Sequence, residues 1–345
     1  MSVVNPPPPA SAPSDYPPAR PALLAERPLW HRVLFNQQTV LAVLLVAEIA
    51  VFSIIGTNFF TGYNALEIAR QNVELGLLAL ALTPVIVTGG IDLSVGSLLG
   101  LCAILFGKFS RDAHFSLWLA AISTLGVGAM AGGLNAILIT ALRIPPLIVT
   151  LGTYSLFGGL AEGITRGTDV FDFSTRASFV FWGQGYFFGI IPAQVPILLF
   201  VAIAFWLMLH RTTIGRALIA IGFSPEGARY AGIPVAARLS LVYILSGLMS
   251  GLAAVIYVAH VGQAKANAGT GYELLAITAV VLGGTSIFGG RGTVLGTMLG
   301  LFAIAVLQNG LMLADQPVEL AKIIGGVMLI VAITGNQLLA KWAKV

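Results

Sequence analysis

The sequence of 345 residues is poor in charge: Asp, Glu, Lys and Arg make up 9% of it, against 57% hydrophobic residues. A soluble domain carries about 25% charged residues. With a mean hydropathy of +0.92, the composition excludes a soluble globular protein. A single cysteine, Cys102, excludes an intrachain disulfide framework. The four histidines, His31, His114, His210 and His260, are scattered without metal-ligand spacing. No G-x-x-x-x-G-K-[ST] string occurs. The nearest match, Phe106-Gly107-Lys108-Phe109, lacks both the first glycine and the hydroxyl residue, so the chain has no phosphate-cradling loop of its own. The N-terminus consists of prolines and polar residues, unlike the basic start and apolar run of a signal peptide.

What remains is a polytopic membrane protein, read as an all-α transmembrane bundle. At about 20 apolar residues per span, ten spans are predicted: Val40–Gly56, Gln71–Thr88, Leu93–Gly107, Phe115–Leu142, Leu147–Ile164, Ile191–His210, Leu239–His260, Leu274–Phe288, Val294–Leu313 and Val318–Gly335. The third and eighth are short and adjoin glycine clusters, which marks them as broken or re-entrant. Eleven Lys and Arg fall on the side of the N-terminus and six on the other, with Lys322 inside the last span. This bias places both termini in the cytoplasm. Lys108 and Arg111 run against the trend. The net charge of +4 is accounted for by these loop arginines, and nucleic acid is not an expected partner.

Residues 1–39 form a Pro-rich, disordered cytoplasmic tail, with nine of the seventeen prolines before residue 29. The transmembrane domain covers 40–335, and 336–345 is a cytoplasmic C-terminal tail. The spacing of Gly128 and Gly132 permits close helix approach and predicts a tightly packed bundle. Residues 89–100 (GGIDLSVGSLLG) and 289–300 (GGRGTVLGTMLG) agree at five of twelve positions, two hundred residues apart. A duplicated half would produce such an echo, and so would chance in a chain with forty glycines.

The stretch Gly89–Gly100 places a lone carboxylate, Asp92, between two apolar runs. Irregular backbone with an ionisable residue persists at membrane depth only when it faces protein or a water-filled cavity. Asp92 and Ser94 are therefore either a tight turn or part of the wall of a polar solute pathway. Asn135 and Asn309 are read either as part of the same pathway or as interhelical hydrogen-bond residues. Glu48, Glu162 and Gln308 are also polar residues within predicted spans, and Glu48 receives no role. The connection Arg211–Arg238 carries a helix start at Ser224-Pro225-Glu226, with Ser as N-cap and Pro at the first helical position, and Gly232 and Pro234 end it after about two turns. Such a helix is either an interfacial element of the bundle or a docking helix for a cytoplasmic partner. Gly167–Gly189, with Asp169, Asp172, Arg176, Trp182 and Tyr186, reads as an aromatic belt or as a surface for an external partner.

Four blocks together resemble the signature segments of ribose-type ABC sugar permeases, in that family's order. They are GGIDLSVGSLLG, IPPLIVTLGTYSLFGGLA (144–161), IGRALIAIGFSPEGARYAGI (214–233) and LLAITAVVLGGTSIFGGRGTVLGTMLG (274–300). The resemblance covers most of residues 40–335. It implies a type II ABC importer permease of about ten helices per subunit, in the bacterial inner membrane, paired with a second permease subunit. It further implies separate cytoplasmic ATPase subunits, which bind and hydrolyse the ATP, and a periplasmic sugar-binding protein. No cofactor is expected on this chain. By the same resemblance the coupling segment includes Gly215, Arg216, Gly222, Ser224, Pro225, Glu226, Ala228, Arg229 and Gly232. The expected function is import of a monosaccharide or related polyol by alternating access. A cation-coupled secondary transporter with Asp92 as its titrating group is the alternative, and a passive channel a third reading.

Overall fold

The computed structural model describes residues 37–166, 171–173, 177–317, 319–321, 323–328, 330, 331 and 334. The tail through residue 36, Asp169, Arg176, Lys322 and the tail 336–345 lie outside these residues. The described chain is overwhelmingly helical. Helix α1 is Gln37–Ile55, α2 Gly62–Gln71, α3 Val73–Val87, α4 Val95–Arg111, α5 Leu117–Thr140 and α6 Pro146–Thr165. After strand β1 (Phe171–Asp172) come α7 (Ala177–Gln184), β2 (Tyr186–Phe187), β3 (Ile191–Pro192) and α8 (Val195–Arg211). The rest is α9 (Thr213–Phe223), α10 (Pro225–Tyr230), α11 (Val235–Val261), β4 (Gln263–Ala264), α12 (Tyr272–Leu282) and α13 (Val294–Leu313). The strands form two antiparallel pairs, β1 with β4 and β2 with β3.

Each of the first nine predicted spans coincides with a helix, but length separates them. Among the described residues, five helices (α1, α5, α6, α11 and α13) are long and apolar enough to cross a membrane singly, or up to seven spans if α2–α3 and α8–α9 each count as one. Those pairs bend by 54° and 68°. Helix α4 has 17 residues. Helix α12 has only 11, or about 16 Å at 1.5 Å per residue. It stops at Gly283 because Gly284 adopts a positive φ of 94°, which turns the backbone out of the helix, and Gly289 and Gly290 (85° and 77°) turn it again further on. The predicted span Leu274–Phe288 is thus a short helix followed by a glycine loop. The predicted tenth span, 318–335, is helical at every position that is described.

Helix α3 is the centre. All fifteen of its residues are buried, and a helix apolar on every side is stable only when surrounded. It packs among α8, α11, α12 and α13. Thr83 of α3 shares a 2.7 Å hydroxyl contact with Thr297 of α13. The most extensive helix pairing is α5 with α11, and its geometry comes from glycine. Gly128 and Gly132 of α5 meet Gly247 and Gly251 of α11 backbone to backbone, so that a methyl group at Gly128 or Gly247 would run into the other's carbonyl. The glycine spacing read from one helix has a matching spacing on its partner. The echoed segments also correspond in structure. Each begins at a glycine of positive φ, Gly89 at 80° and Gly289 at 85°, and leads into the helix start at Val95 or Val294.

Candidate functional site

Asp92 lies in the loop between α3 and α4 and is 2% exposed. Its carboxylate accepts three hydrogen bonds. Ser94 gives two of them to Oδ1, from its amide at 3.0 Å and its hydroxyl at 2.6 Å, and Ser246 of α11 donates to Oδ2 at 2.8 Å. Asn135 of α5 donates to the Ser94 hydroxyl at 2.9 Å. Thr150 of α6 donates to the Ile91 carbonyl at 3.1 Å. The loop is therefore fastened to three different helices. Tyr243, one turn before Ser246, presents a buried hydroxyl to Gly90, where there is no room for a side chain. A carboxyl group buried without partners would cost several kcal/mol, and these three donors offset that cost.

Asp92, Ser94 and Asn135 are brought together as one group, but Asn309 is not among them. It pairs reciprocally with Asn64 of α2, amide to carbonyl in both directions, at 2.9 and 3.0 Å. This contact ties α13 to α2, as an interhelical hydrogen-bond residue does. Ser246 was not anticipated from the sequence, since a lone serine in an apolar run carries no signal of its own.

The segment that the resemblance marks for coupling, 214–233, consists of two helices where one was predicted. Thr212 caps α9, accepting from the amides of Ile214 (3.1 Å) and Gly215 (3.4 Å). Gly215 lies against the Leu209 backbone, which lets the chain fold back at the end of α8. Ser224 ends α9 and caps α10, accepting from Gly227 at 3.0 Å. Pro225 occupies the first turn. Helix α10 stops at Tyr230, and Gly232 follows at φ 80°. Arg216, Glu226, Arg229 and Tyr230 face outward, Tyr230 being 93% exposed. Ala228 faces the other way and packs with Ile221 and Val235 beneath the hairpin. Of the predicted segment, then, Glu226 and Arg229 are surface groups, whereas Ala228 and Gly215 are packing positions.

Two features bear on the membrane boundary. Lys108 and Arg111, which opposed the charge bias, both bind Asp112, at 3.0 and 3.2 Å. These hydrogen bonds hold the Asp112 carboxyl below the usual carboxylate range and leave the cluster with one net positive charge. Helix α6 exposes Gly152, Ser155, Gly159, Glu162 and Gly163 along one side, and no neighbour comes within 4 Å of the methyl group that Gly152, Gly159 or Gly163 lacks. Polar and small residues in such a row suit a protein or water contact better than lipid.

Residues 64–333 match the model of the family described as branched-chain amino acid transport system / permease component. The autoinducer 2 import system permease protein LsrD of Photorhabdus luminescens is 38% identical over 308 residues, covering 88% of this chain and 92% of the relative. Its counterpart in Yersinia enterocolitica is 37% identical over 310 residues with the same coverage. No solved structure matches the chain. A family match over most of the chain, the permease relatives and the apolar helical bundle agree: the chain belongs to the branched-chain amino acid transport system permease family, as a transport subunit and not an enzyme.

Proposed function

We propose that the chain is the membrane-spanning subunit of an ATP-driven importer in the bacterial inner membrane, with about ten helices per subunit and both termini in the cytoplasm. Its solute is a monosaccharide or related polyol, and autoinducer 2, which the relatives' names carry, is the first candidate. Separate ATPase subunits bind the nucleotide, a periplasmic binding protein delivers the solute, and a second permease subunit completes the pathway. The observation that carries this reading is the α9–α10 hairpin. It is a short capped element held from beneath by Ala228, with Glu226, Arg229 and Tyr230 presented outward, a rigid projection suited to a cleft in an ATPase. The open side of α6 meets the second subunit. Asp92, Ser94 and Asn135 form the backing of the pathway, fixing the loop that α6 touches through Thr150.

The test is affinity purification of the full chain from its host membrane. ATPase subunits and a binding protein are expected to co-purify, and autoinducer 2 should raise the melting temperature of that binding protein. Solute uptake by the reconstituted chain alone, driven by a proton gradient, would overturn the reading.

A further inference from the structure

At the cytoplasmic ends proposed above, three stretches of chain meet without an intervening side chain. The Gly290 amide donates to the carbonyl of Val87, the last residue of α3, at 2.8 Å. Gly222, next to the end of α9, lies against the same two atoms, so that a methyl group there would run into both Val87 O and Gly290 N. A methyl group at Gly289 would come within 2.9 Å of Gly222 O and of Gly89 N. The Phe223 ring closes over Gly290, 2.9 Å from where a side chain would begin. Side chains absorb small shifts by changing rotamer, but close-packed backbone passes them on.

We propose that the contact of Gly222 with Val87 and Gly290 carries displacement of the α9–α10 hairpin into the Asp92 loop, making Gly222 the positioning residue of the coupling path. The inference rests on the importer reading above. The hairpin reaches Asp92 by two routes. One runs through Gly222 to Val87 and the chain leading to Asp92. The other runs through α11, which begins at Val235 just after the hairpin and carries Ser246, the donor to Asp92 Oδ2. Movement of the hairpin relative to α3 is thereby felt at that hydrogen bond. The α12–α13 loop moves with it through Gly290, so both echoed loops respond together.

Hydrogen exchange on the complex with its co-purified ATPases tests this without a solute. In wild type, trapping with ATP and vanadate should change protection in peptides 85–98 and 283–296 as well as in 212–235. In Gly222→Ala complexes that retain the ATPases, the change in 283–296 should be lost and that in 85–98 reduced to what α11 passes on through Ser246, while 212–235 responds as in wild type. A purely structural role would lower abundance and ATPase binding without separating these peptides. Loops that respond in Gly222→Ala as in wild type, or that stay silent in wild type, overturn the proposal. Should Gly222→Ala fail to assemble, Phe223→Ala, which removes a largely exposed ring, decides by the same measurement. Failure of both variants to assemble would make the junction a folding element and overturn it too. Absence of ATPases from the wild-type preparation would instead refute the importer reading.

Discussion

Ser246 donates a 2.8 Å hydrogen bond to Asp92 across 154 positions of sequence, and this one contact joins the broken segment after α3 to the longest helix in the described chain. Ser246→Ala removes the one donor to Oδ2 among the described residues and leaves that oxygen buried, at a cost of about 1–3 kcal/mol. The expected result is a lower melting temperature in detergent with the helical content unchanged.

Asp92→Asn keeps the shape but replaces an acceptor oxygen with an amide nitrogen facing the Ser246 or Ser94 hydroxyl. Uptake should fall by about tenfold or more, corresponding to roughly 1.4 kcal/mol, while membrane abundance changes much less. Uptake at the wild-type rate would reduce Asp92 to a turn residue.

The glycine contact between α5 and α11 predicts a contrast within one helix. Gly128→Val forces a side chain into the Gly247 backbone, and overpacking of this kind costs about 1–3 kcal/mol or more. Gly126→Ala places its methyl where no atom lies within 4 Å and should be silent. Membrane abundance measured by immunoblot separates them; equal abundance would refute the packing described.

The hairpin surface and its underside should respond differently. Glu226→Arg combined with Tyr230→Ala should abolish ATPase co-purification at normal abundance. Ala228→Trp, aimed at Ile221 and Val235, should instead lower abundance. If the surface pair retains both ATPase binding and uptake, the hairpin is not the docking element.

Topology is open to labelling in a Cys102→Ala background. Phe188 is 95% exposed at the tip of the β2–β3 hairpin and Tyr230 is 93% exposed on α10. A cysteine at 188 should react with an impermeant maleimide in intact cells, and one at 230 only after permeabilisation. The reverse pattern would invert the orientation.

Much of this bundle is legible in the sequence because apolar runs of span length have few alternatives. Ser224-Pro225-Glu226 likewise announced a capped helix that is present. Helix α9 was missed because ALIAIGF is apolar and its only start signal, Thr212, stands one residue after the basic end of α8. The length of α12 was overread, since apolar residues continue past the glycines that end the helix. Asn309 could not be assigned from sequence, as an amide reads the same whether it faces a pathway or, as here, another amide 245 positions away. The echo at Gly89 and Gly289 was visible, but that the two segments touch, Gly289 against Gly89, is a tertiary fact that no pattern within either segment announces.

The complete burial of α3 has a consequence for stoichiometry. A transporter that works alone needs a lane along its own axis, yet among the described residues Leu77–Val87 fill that axis with apolar side chains and the buried Thr83, leaving no accessible surface along most of it. On the importer reading proposed above, a hydrophilic solute follows the flank of this chain, and a flank becomes a conduit only when something stands opposite it. One copy then supplies half a channel wall, and the second permease subunit of that proposal supplies the other half.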